Sequence, residues 1–529
     1  MCISCAFFSC REEKPVLFSI EPRIGQTGEA ITIYGDNLGD ERVGSYITIA
    51  GTPPTASSYL SWRNDQIRIR TPEFSGSGLL YVHRNGKKSN PLLLANRASI
   101  PKLALETGGL PGPIIASVQP GSGSIGSLVT IEGYGFGSTR ETGGVFFSWR
   151  SESLPGVHSA ELQPETVEAF AGDFGYELWT DREIRVRVPD GAVSGVLEVR
   201  TPKKTSSPIA FTVSDKPGAK IFKEKRKYTI EYAVDIQVQS AEPPNTLYLW
   251  VPEPAVSASQ RITDPLIFSR KPFADQYQGT ALFQVSDLKS GEKVRITAAA
   301  AVEVYAVETS MKNQPLKPDA DSPVHSVHTL PSALIPSDNP DVANLAKTLA
   351  GKEQNPYEKA RKLYEWLITE VQYGPSENAA LGALQERRGD AYAVSLLFCA
   401  LSRAVDLPAI PVAGVLATKS LSAVRHYWAE FWVDGFGWIP VDPALGAGFC
   451  PEDFALPRDA QTYYFGSTDN QRIAFSRGQG MPAQMDPYGR TAVRRRDYAL
   501  QSLWEEASGN LDAYSSLWSG IALTGVYSQ

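Results

Sequence analysis

The chain has 529 residues, which is too long for one hydrophobic core and predicts roughly three to five folded units. Hydrophobic residues make up 42% and charged residues 21%, while 44 glycines and 38 prolines favour many short strands joined by turns. The net charge of -7 argues against electrostatic capture of nucleic acid, which needs a concentrated basic surface. No apolar run in the sequence reaches the ~18 residues that a membrane-spanning helix needs.

The five cysteines fall into two groups, one near the N-terminus and one far downstream, and this distribution is not a disulfide framework. Residues 1–14 resemble the end of a bacterial lipoprotein signal, in which Cys10 becomes the acylated first residue after cleavage. The usual charged and apolar start is missing, so this interpretation requires a start further upstream. It implies a cell-envelope protein, periplasmic or at the surface, with membrane attachment by lipid at Cys10. An ordinary cytosolic N-terminus is the alternative.

Two segments near the N-terminus repeat one another. The sequence ITIYG at 31–35 recurs as VTIEG at 129–133, and IRIR at 67–70 recurs as IRVR at 184–187. The distance between the two copies is about 19 residues greater for the second motif than for the first, so the second copy carries an insertion of about 19 residues. Both copies are therefore expected to have one fold.

The repeated regions, 15–96 and 112–214, show the alternation of half-buried strands and the glycines of tight turns. Their length suits an immunoglobulin-like β-sandwich. An apolar residue before a Pro, paired glycines and an apolar strand ending in Gly resemble the IPT/TIG domain. This resemblance predicts two immunoglobulin-like modules of the kind found in cell-surface receptors, carbohydrate enzymes and transcription factors.

The next region, 220–311, alternates apolar and polar residues over 228–238 and predicts a further β-rich domain. A Pro-rich linker, 312–340, follows and contains His325 and His328 as an HxxH pair. Since no third ligand accompanies these two histidines, the sequence predicts no metal site and no cofactor.

Two helices are predicted in the C-terminal region, which we place at 341–480. Apolar residues at helical spacing follow Asn355 and end near Tyr373. Asp390 is placed as the N-cap of a second helix, Ala391 to Val405, whose apolar face meets the core.

A hairpin is predicted downstream of these helices. Residues 426–432 and 438–442 read as strands joined by a turn at Asp434. His426 and Asp442 are equally distant from Asp434, so a hairpin centred there makes them face each other across neighbouring strands. A carboxylate at that position can orient an imidazole.

A helix N-terminus beside a His–Asp pair is what a cysteine nucleophile requires, because the helix dipole and the imidazole together stabilise a thiolate. The motifs Gly389-Asp390-Ala391, HYWAE at 426–430 and GWIPVD at 437–442 resemble those of the transglutaminase-like, papain-related superfamily. The resemblance implies an α+β core with His426 and Asp442 as catalytic partners. It also puts Ala391 at the position of the nucleophilic cysteine, where a methyl group forms no acyl-enzyme.

Other side chains near this position do not supply the missing sulfur. Cys399 lies about 12 Å further along the helix and is interpreted as a buried structural thiol. Ser395 is expected to be packed one turn into the helix. Trp428 and Tyr392 are the candidate ligand contacts, with core packing as the alternative for Trp428.

The last region, 481–529, places Leu500, Leu503, Trp504, Ala507 and Leu511 at helical spacing before a final strand-like run. It is predicted to be a helical cover segment packed on the core.

Three functional hypotheses follow from these patterns. The first is a non-catalytic, transglutaminase-like cell-envelope protein that binds a peptide, protein or glycan. The second is a cysteine protease or acyl transferase of that class whose nucleophile has been replaced by Ala391. The third is an adhesive or structural surface protein that acts through its IPT/TIG modules. None of them involves nucleic acid, and the oligomeric state is not predicted.

Overall fold

The computed structural model describes residues 14–25, 28–72, 78–96, 112–152, 165–214, 217–312, 316, 318–376 and 379–528. Cys10 and the rest of the predicted leader lie outside these residues, so its acylation stays a prediction. No helix in the described part is both long and apolar enough to cross a membrane.

The first module packs two sheets against each other, with strand orders β1-β3-β6-β5 and β2-β9-β7-β4, and all strand pairs are antiparallel except β2 with β9. Alternation directs Ile31, Ile33, Ile47 and Ile49 into the space between them, where each is buried. The strands are β1 (Val16–Glu21), β2 (Ile24–Gly25), β3 (Ala30–Asp36), β4 (Ser45–Ile49), β5 (Tyr59–Trp62), β6 (Gln66–Arg70), β7 (Gly78–Arg84), β8 (Lys87–Lys88) and β9 (Leu92–Asn96). The short β8 pairs with β7 at the end of the second sheet.

The second module repeats this arrangement, with strand orders β10-β12-β16-β15 and β11-β18-β17-β13-β14. Single hydrogen bonds recur as well. In the first module the Tyr59 hydroxyl accepts a hydrogen bond from the backbone amide of Ile47. In the second module the Tyr176 hydroxyl accepts one from the backbone amide of Val145. The strands are β10 (Ile114–Gln119), β11 (Ser122–Gly123), β12 (Leu128–Tyr134), β13 (Gly144–Ser148), β14 (Thr166–Glu168), β15 (Tyr176–Trp179), β16 (Glu183–Arg187), β17 (Gly195–Arg200) and β18 (Ile209–Val213).

The third domain is a single sheet built on two very long strands, which pair antiparallel along most of their length. Its strand order is β20-β23-β19-β22-β21, and three C-terminal strands complete it. The strands are β19 (Gly218–Pro252), β20 (Gln260–Phe268), β21 (Ala274–Tyr277), β22 (Thr280–Ser286), β23 (Lys293–Met311), β30 (Arg490–Ala492), β31 (Glu505–Trp518) and β32 (Ala522–Ser528).

The prediction of a helical segment at 481–529 is wrong. Strand β31 pairs with β19 from Val234 to Leu249, and β32 pairs with it further along. Ala507 and Leu511 do enter the core, but they do so from a strand. The helical spacing is a local feature of the sequence. The open edge of β19 offers hydrogen-bond partners to the backbone of a strand, so pairing with β19 overrides the local helical pattern.

The C-terminal region packs helices around a central buried helix, α5, and against a sheet of order β28-β27-β26-β29. The helices are α1 (Pro323–His328), α2 (Pro340–Ala350), α3 (Pro356–Glu370), α4 (Ala380–Glu386), α5 (Ala391–Arg403), α6 (Pro443–Gly446) and α7 (Ala460–Tyr463). The strands are β24 (Gln372–Tyr373), β25 (Arg388–Gly389), β26 (Ala409–Ala417), β27 (Ala423–Val433), β28 (Gly437–Val441) and β29 (Arg472–Arg477).

The second module is docked on this C-terminal sheet. Ile125 forms a β-bridge with Gly435 at the tip of the β27–β28 hairpin. Arg477 pairs with Asp173 of the module at 3.1 Å and with Glu430 of β27 at 2.7 Å. The hairpin is therefore held from the face opposite α5.

Glu253, at the end of β19, makes the stability of the third domain depend on pH. Burial, with Asp275 beside it, raises the pKa of Glu253 to about 8. The group is therefore protonated in the folded state at neutral pH but ionised in the unfolded chain. Its contribution to stability is complete below the ordinary pKa of 4.5 and is lost as pH rises through about 8.

We expect Glu253→Gln to abolish the loss of stability at high pH, because the glutamine amide is neutral and has nearly the same shape as the protonated acid. Between about pH 5 and pH 9 the wild-type free energy of unfolding should fall by on the order of 3 kcal/mol more than that of the variant. Urea unfolding at both pH values measures the difference. The exposed Glu231→Gln is the matched control on the same strand. Equal pH slopes in wild type and Glu253→Gln would contradict the assignment.

Candidate functional site

The N-terminus of α5 forms one side of the site. The Asp390 carboxylate caps the helix by accepting the amide hydrogen of Ala393 at 2.9 Å, and it also pairs with Arg496. Ala391 is the first residue of the helix and is buried. The capping role predicted for Asp390 is thus present, and a methyl group occupies the position at the positive end of the helix dipole.

The β27–β28 hairpin forms the other side, with a register that differs from the predicted one. Trp432 pairs with Trp438 and Val433 with Gly437, so the hairpin is centred one residue beyond Asp434. Gly435 and Gly437, both at positive φ, make the longer turn. His426 and Asp442 are consequently diagonal neighbours and not directly opposed, yet His426 Nε2 lies 2.7 Å from Asp442 Oδ2.

Asp442 is fully buried and has three partners. Its oxygens accept hydrogen bonds from His426, from Arg472 at 2.9 Å and from the Leu445 amide at 3.1 Å. Burial acts to raise the pKa of Asp442, but these partners hold the pKa below its ordinary value. The carboxylate is therefore ionised at neutral pH and fixes the proton of His426 on Nε2.

The opposite nitrogen of the His426 ring, Nδ1, is buried and has no hydrogen-bond partner among the residues that the structure describes. With Nε2 bound to the carboxylate, Nδ1 is the atom left to accept a proton from a neighbouring group. A general base needs this arrangement, in which one nitrogen is oriented by an acid and the other is directed to a nucleophile.

Two aromatic rings stack on this histidine. The ring centroid of Phe449, in the loop after α6, lies 5.7 Å from that of His426, and the ring centroid of Trp428 lies 6.1 Å from it. Tyr373 in turn stacks on Phe449 at 4.5 Å. Tyr373 is at the end of β24 and pairs with Gly389, two residues before Ala391. The His–Asp pair is therefore closed off from solvent on the side of α5, and His426 is 0% exposed.

The C-terminal segment crosses the same region. The Arg496 guanidinium contacts Asp390 and lies 5.1 Å from the centre of the Tyr392 ring. The backbone carbonyl of Asp497 accepts a hydrogen bond of 2.7 Å from the Tyr427 hydroxyl. This segment contacts the start of α5, and it is not helical.

The two candidate ligand contacts are buried. Tyr392 packs edge-on against Tyr427 under Arg496. Trp428 lies under the guanidinium of Arg472, 5.0 Å from the ring centre, and packs on Val412 and Ala474. Tyr392 is thus covered by Arg496, whereas Trp428 lines a small cavity together with Arg472 and Arg477.

The other nucleophile candidates are placed elsewhere. Cys399 is enclosed in the core, and burial raises the pKa of its thiol to about 12. The Ser395 hydroxyl donates to the Tyr427 carbonyl at 3.0 Å. Cys450 is exposed, next to Phe449, and its sulfur contacts the carbonyls of Pro451 and Phe454.

The HxxH pair of the linker is separated by its surroundings. His325 Nε2 contacts Asp434 at 2.9 Å, and His328 packs between Phe174 and Trp438. Within the described residues, no group of three or more potential ligands converges on a point that could hold a metal ion.

Sequence reasoning missed Arg472 and Phe449. Arg472 is buried between two carboxylates, Asp442 and Asp469, the latter at 2.6 Å. Burial acts to lower the pKa of Arg472, but the two aspartates raise it above its ordinary value. Neither residue belongs to the motifs of the catalytic helix or hairpin, so spacing alone carries no signal for them.

Comparison with known families agrees with the two resemblances. Residues 343–443 match the model of the Transglutaminase-like superfamily, and residues 15–95 match that of the IPT/TIG domain. The chain thus carries a transglutaminase-like domain and an N-terminal IPT/TIG domain within a β-rich fold, and these predictions are confirmed. The matches do not test the alanine at position 391.

Individual relatives are distant. A curated protein from Haemophilus influenzae, described as uncharacterized, is 25% identical, and the match covers 26% of this chain. The chain spans about half the length of that relative, 47%.

Among solved structures, a candidate cysteine protease from Cytophaga hutchinsonii is 19% identical, with a TM-score of 0.36 over 59% of this chain and 92% of that one. SGBP-B from a xyloglucan utilization locus of Bacteroides uniformis is 9% identical, with a TM-score of 0.14 over 56% and 99%. Likenesses this weak carry no argument about function.

Proposed function

We propose that the transglutaminase-like domain is a non-catalytic member of its class, which binds a peptide, protein or glycan without thiol chemistry. The observation that carries the proposal is Ala391 at the first position of α5. The remaining parts of a thiol site surround it, including the Asp390 cap and the His426–Asp442 pair. Covalent catalysis needs a nucleophile at this point, and alanine offers none.

The retained polar groups have a structural role that explains their presence without catalysis. Through Asp442, the end of β28 is linked to His426 on β27 and to Arg472 on β29. The three groups are buried, and the Asp442 carboxylate accepts hydrogen bonds from both His426 Nε2 and Arg472. Loss of any one of them leaves a buried polar partner unpaired, which is costly whether or not the domain catalyses a reaction.

The covered state of the site bears on how a ligand would bind. Phe449 stacks on His426, and the Arg496 guanidinium lies over Tyr392 at the start of α5. Binding there requires these residues to move, so we place ligand entry at this cover. A cell-envelope location with a lipid at Cys10 is part of the proposal and rests on the sequence alone.

An active thiol enzyme with a replaced cysteine is the second candidate, favoured by one observation. His426 Nδ1 is buried and unpartnered, as expected of a base whose nucleophile has been removed. The codon for position 391 in the source gene distinguishes the two candidates, because a cysteine codon would favour the enzyme.

We expect the purified chain to release no ammonia from a glutamine peptide in the presence of a primary amine and to cleave no peptide. In the described part, iodoacetamide should label the exposed Cys450 and spare the buried Cys399, as mapped by mass spectrometry. A Cys450→Ser variant is the matched control for alkylation. Turnover that depends on a free thiol, and that disappears on alkylation, would overturn the proposal.

A further inference from the structure

The sheet of the third domain has two long edges, and they differ in how they are protected from pairing with another strand. One edge is strand β20, whose sequence contains Arg261, Asp264 and Pro265 and whose pairing with β23 is interrupted by two register shifts. Charges, proline and irregular pairing all discourage a further strand from joining an edge. The other edge is formed by β31 and β32, where residues 513–528 include no charged residue and no proline.

Strands β31 and β32 form one continuous edge. They follow each other along β19, so that Trp518 of β31 pairs with Val234 and Ala522 of β32 pairs with Glu231. On its outer side β31 is paired by β30, but only at residues 505–507. Among the strands that the structure describes, none pairs with the outer side of 508–528. A long, uncharged edge of this kind is a template for strand addition.

Three large apolar side chains on this edge are exposed to solvent. Leu517 is 69%, Tyr527 is 59% and Val526 is 42% exposed. Val526 pairs with Tyr228, which is buried, and therefore lies on the inner face at the rim of the core. Leu517 and Tyr527 pair with β19 residues that are an even number of positions apart and alternate with Tyr228, so both lie on the outer face of the sheet.

The edge is symmetric about Ala522. Leu517 and Tyr527 are each five residues from Ala522 in the sequence. Ala522 pairs with Glu231, and the β19 partners of Leu517 and Tyr527 lie four positions to either side of Glu231. Each half of the edge thus has five residues against four on β19, and the one extra residue recurs symmetrically. A two-fold axis at Ala522 therefore brings Leu517 into register with Tyr527 of a second, identical edge.

We infer that this edge pairs with the same edge of a second copy of the chain, antiparallel and about a two-fold axis at Ala522. Leu517 of one copy then lies beside Tyr527 of the other, and Trp518 lies beside Val526, with each contact occurring twice. All three exposed apolar side chains gain a neighbour in this pairing. Backbone groups along 516–528 that point away from β19 gain hydrogen-bond partners.

A second copy fits this edge because the two halves of the edge match each other. An unrelated strand would satisfy the backbone equally well, but it gives no reason for exposed apolar residues at equal distances from one point. Charge does not oppose the pairing, since 513–528 carries none. The two copies of Glu231, beside the axis, would be three strand spacings or ~14 Å apart, which exceeds the screening length of ~8 Å at physiological salt.

Sedimentation equilibrium of the full chain measures the association, and we expect a reversible monomer–dimer equilibrium. Leu517→Glu and Tyr527→Lys should each raise the dissociation constant roughly tenfold or more, because each sets a charge against an apolar side chain of the partner. The double variant Leu517→Glu/Tyr527→Lys places opposite charges beside each other across the axis and should recover most of the lost affinity. Within one chain the two positions are eight β19 residues, ~26 Å, apart, so the recovery reports contact between copies.

Ile267→Lys is the matched control. Ile267 is 68% exposed on the outer face of the protected edge, β20, and this variant should dimerise like wild type. Circular dichroism verifies the fold of each variant. A chain that stays monomeric, a dimer that tolerates both single variants, a double variant no tighter than the single ones, or an equal effect of Ile267→Lys would each overturn the inference. The variants leave position 391 and its surroundings unchanged, so these outcomes are independent of the proposed function.

Discussion

Ala391→Cys is expected to create a thiolate at neutral pH. The new sulfur would lie at the N-terminus of α5, where the helix dipole stabilises negative charge. His426, oriented by Asp442, has an unpartnered Nδ1 available to take the proton. We expect the thiol pKa to fall by roughly 2 units or more from the ~8.5 of a free cysteine.

The measurement is the ultraviolet absorbance of the thiolate against pH, which does not require a reagent to enter the covered site. The variant is made together with Cys450→Ser, which removes the exposed thiol among the described residues, and absorbance changes are measured relative to this background. Ser395→Cys in the same background is the matched control, because Ser395 lies one turn further along α5 and contacts the Tyr427 carbonyl. Its thiol should remain protonated at neutral pH.

His426→Gln added to Ala391→Cys separates the two sources of stabilisation. If the imidazole takes the proton, the thiol pKa should return toward the value set by the helix alone. Equal pKa values for the thiols at 391 and 395 would contradict the idea that the fold retains a functional thiol site. If the thiolate forms but no turnover is seen, the cover formed by Phe449 and Arg496 is the remaining barrier to substrate entry.

The sequence predicted those parts of the site that depend on local rules. Asp390 caps a helix because its carboxylate reaches the amide three residues on, and this geometry is readable from spacing. The contact of His426 with Asp442 also follows from a hairpin, although the register was wrong by one position of the turn. The predicted contact is still made, because the side chains of diagonal neighbours on adjacent strands can reach each other.

The residues that the sequence did not reveal depend on long-range packing. Arg472 reaches Asp442 only because β29 pairs with β26, across a long connection that includes α6 and α7. Phe449 covers His426 from an irregular loop, which has no periodicity to read. The helical prediction for 481–529 failed for the same reason, since the edge of β19 that accepts β31 lies more than two hundred residues away in the sequence.

Arg472→Ala is expected to give the largest loss of stability in the C-terminal domain. Its guanidinium is the cation for two buried carboxylates, Asp442 and Asp469, at 2.9 Å and 2.6 Å. Removing one partner of a buried ion pair typically costs about 3–5 kcal/mol, because the charge left behind is neither solvated nor paired. Hydrogen–deuterium exchange of β27 and β29 measures the loss locally, as a fall in protection of on the order of a hundredfold or more.

The pH dependence distinguishes lost charge from lost packing. In the wild type, Asp442 has a lowered pKa, so its contribution is present above its ordinary pKa and is lost as pH falls through the lower folded value. Without Arg472, burial should raise the pKa of Asp442, so the variant gains stability as pH falls toward ~4 and this carboxylate becomes protonated. The deficit relative to wild type should therefore be larger at pH 7 than at pH 4.

Two further variants test this account of Arg472. Arg472→Met keeps most of the side-chain volume over Trp428 but removes the charge, so its deficit should show the same pH dependence as that of Arg472→Ala. Arg295→Ala removes the cation of an exposed ion pair with Asp235 and should change exchange protection by less than tenfold. A deficit of Arg472→Ala that is equal at pH 4 and pH 7, and that Arg472→Met restores, would show that the side chain acts by packing alone.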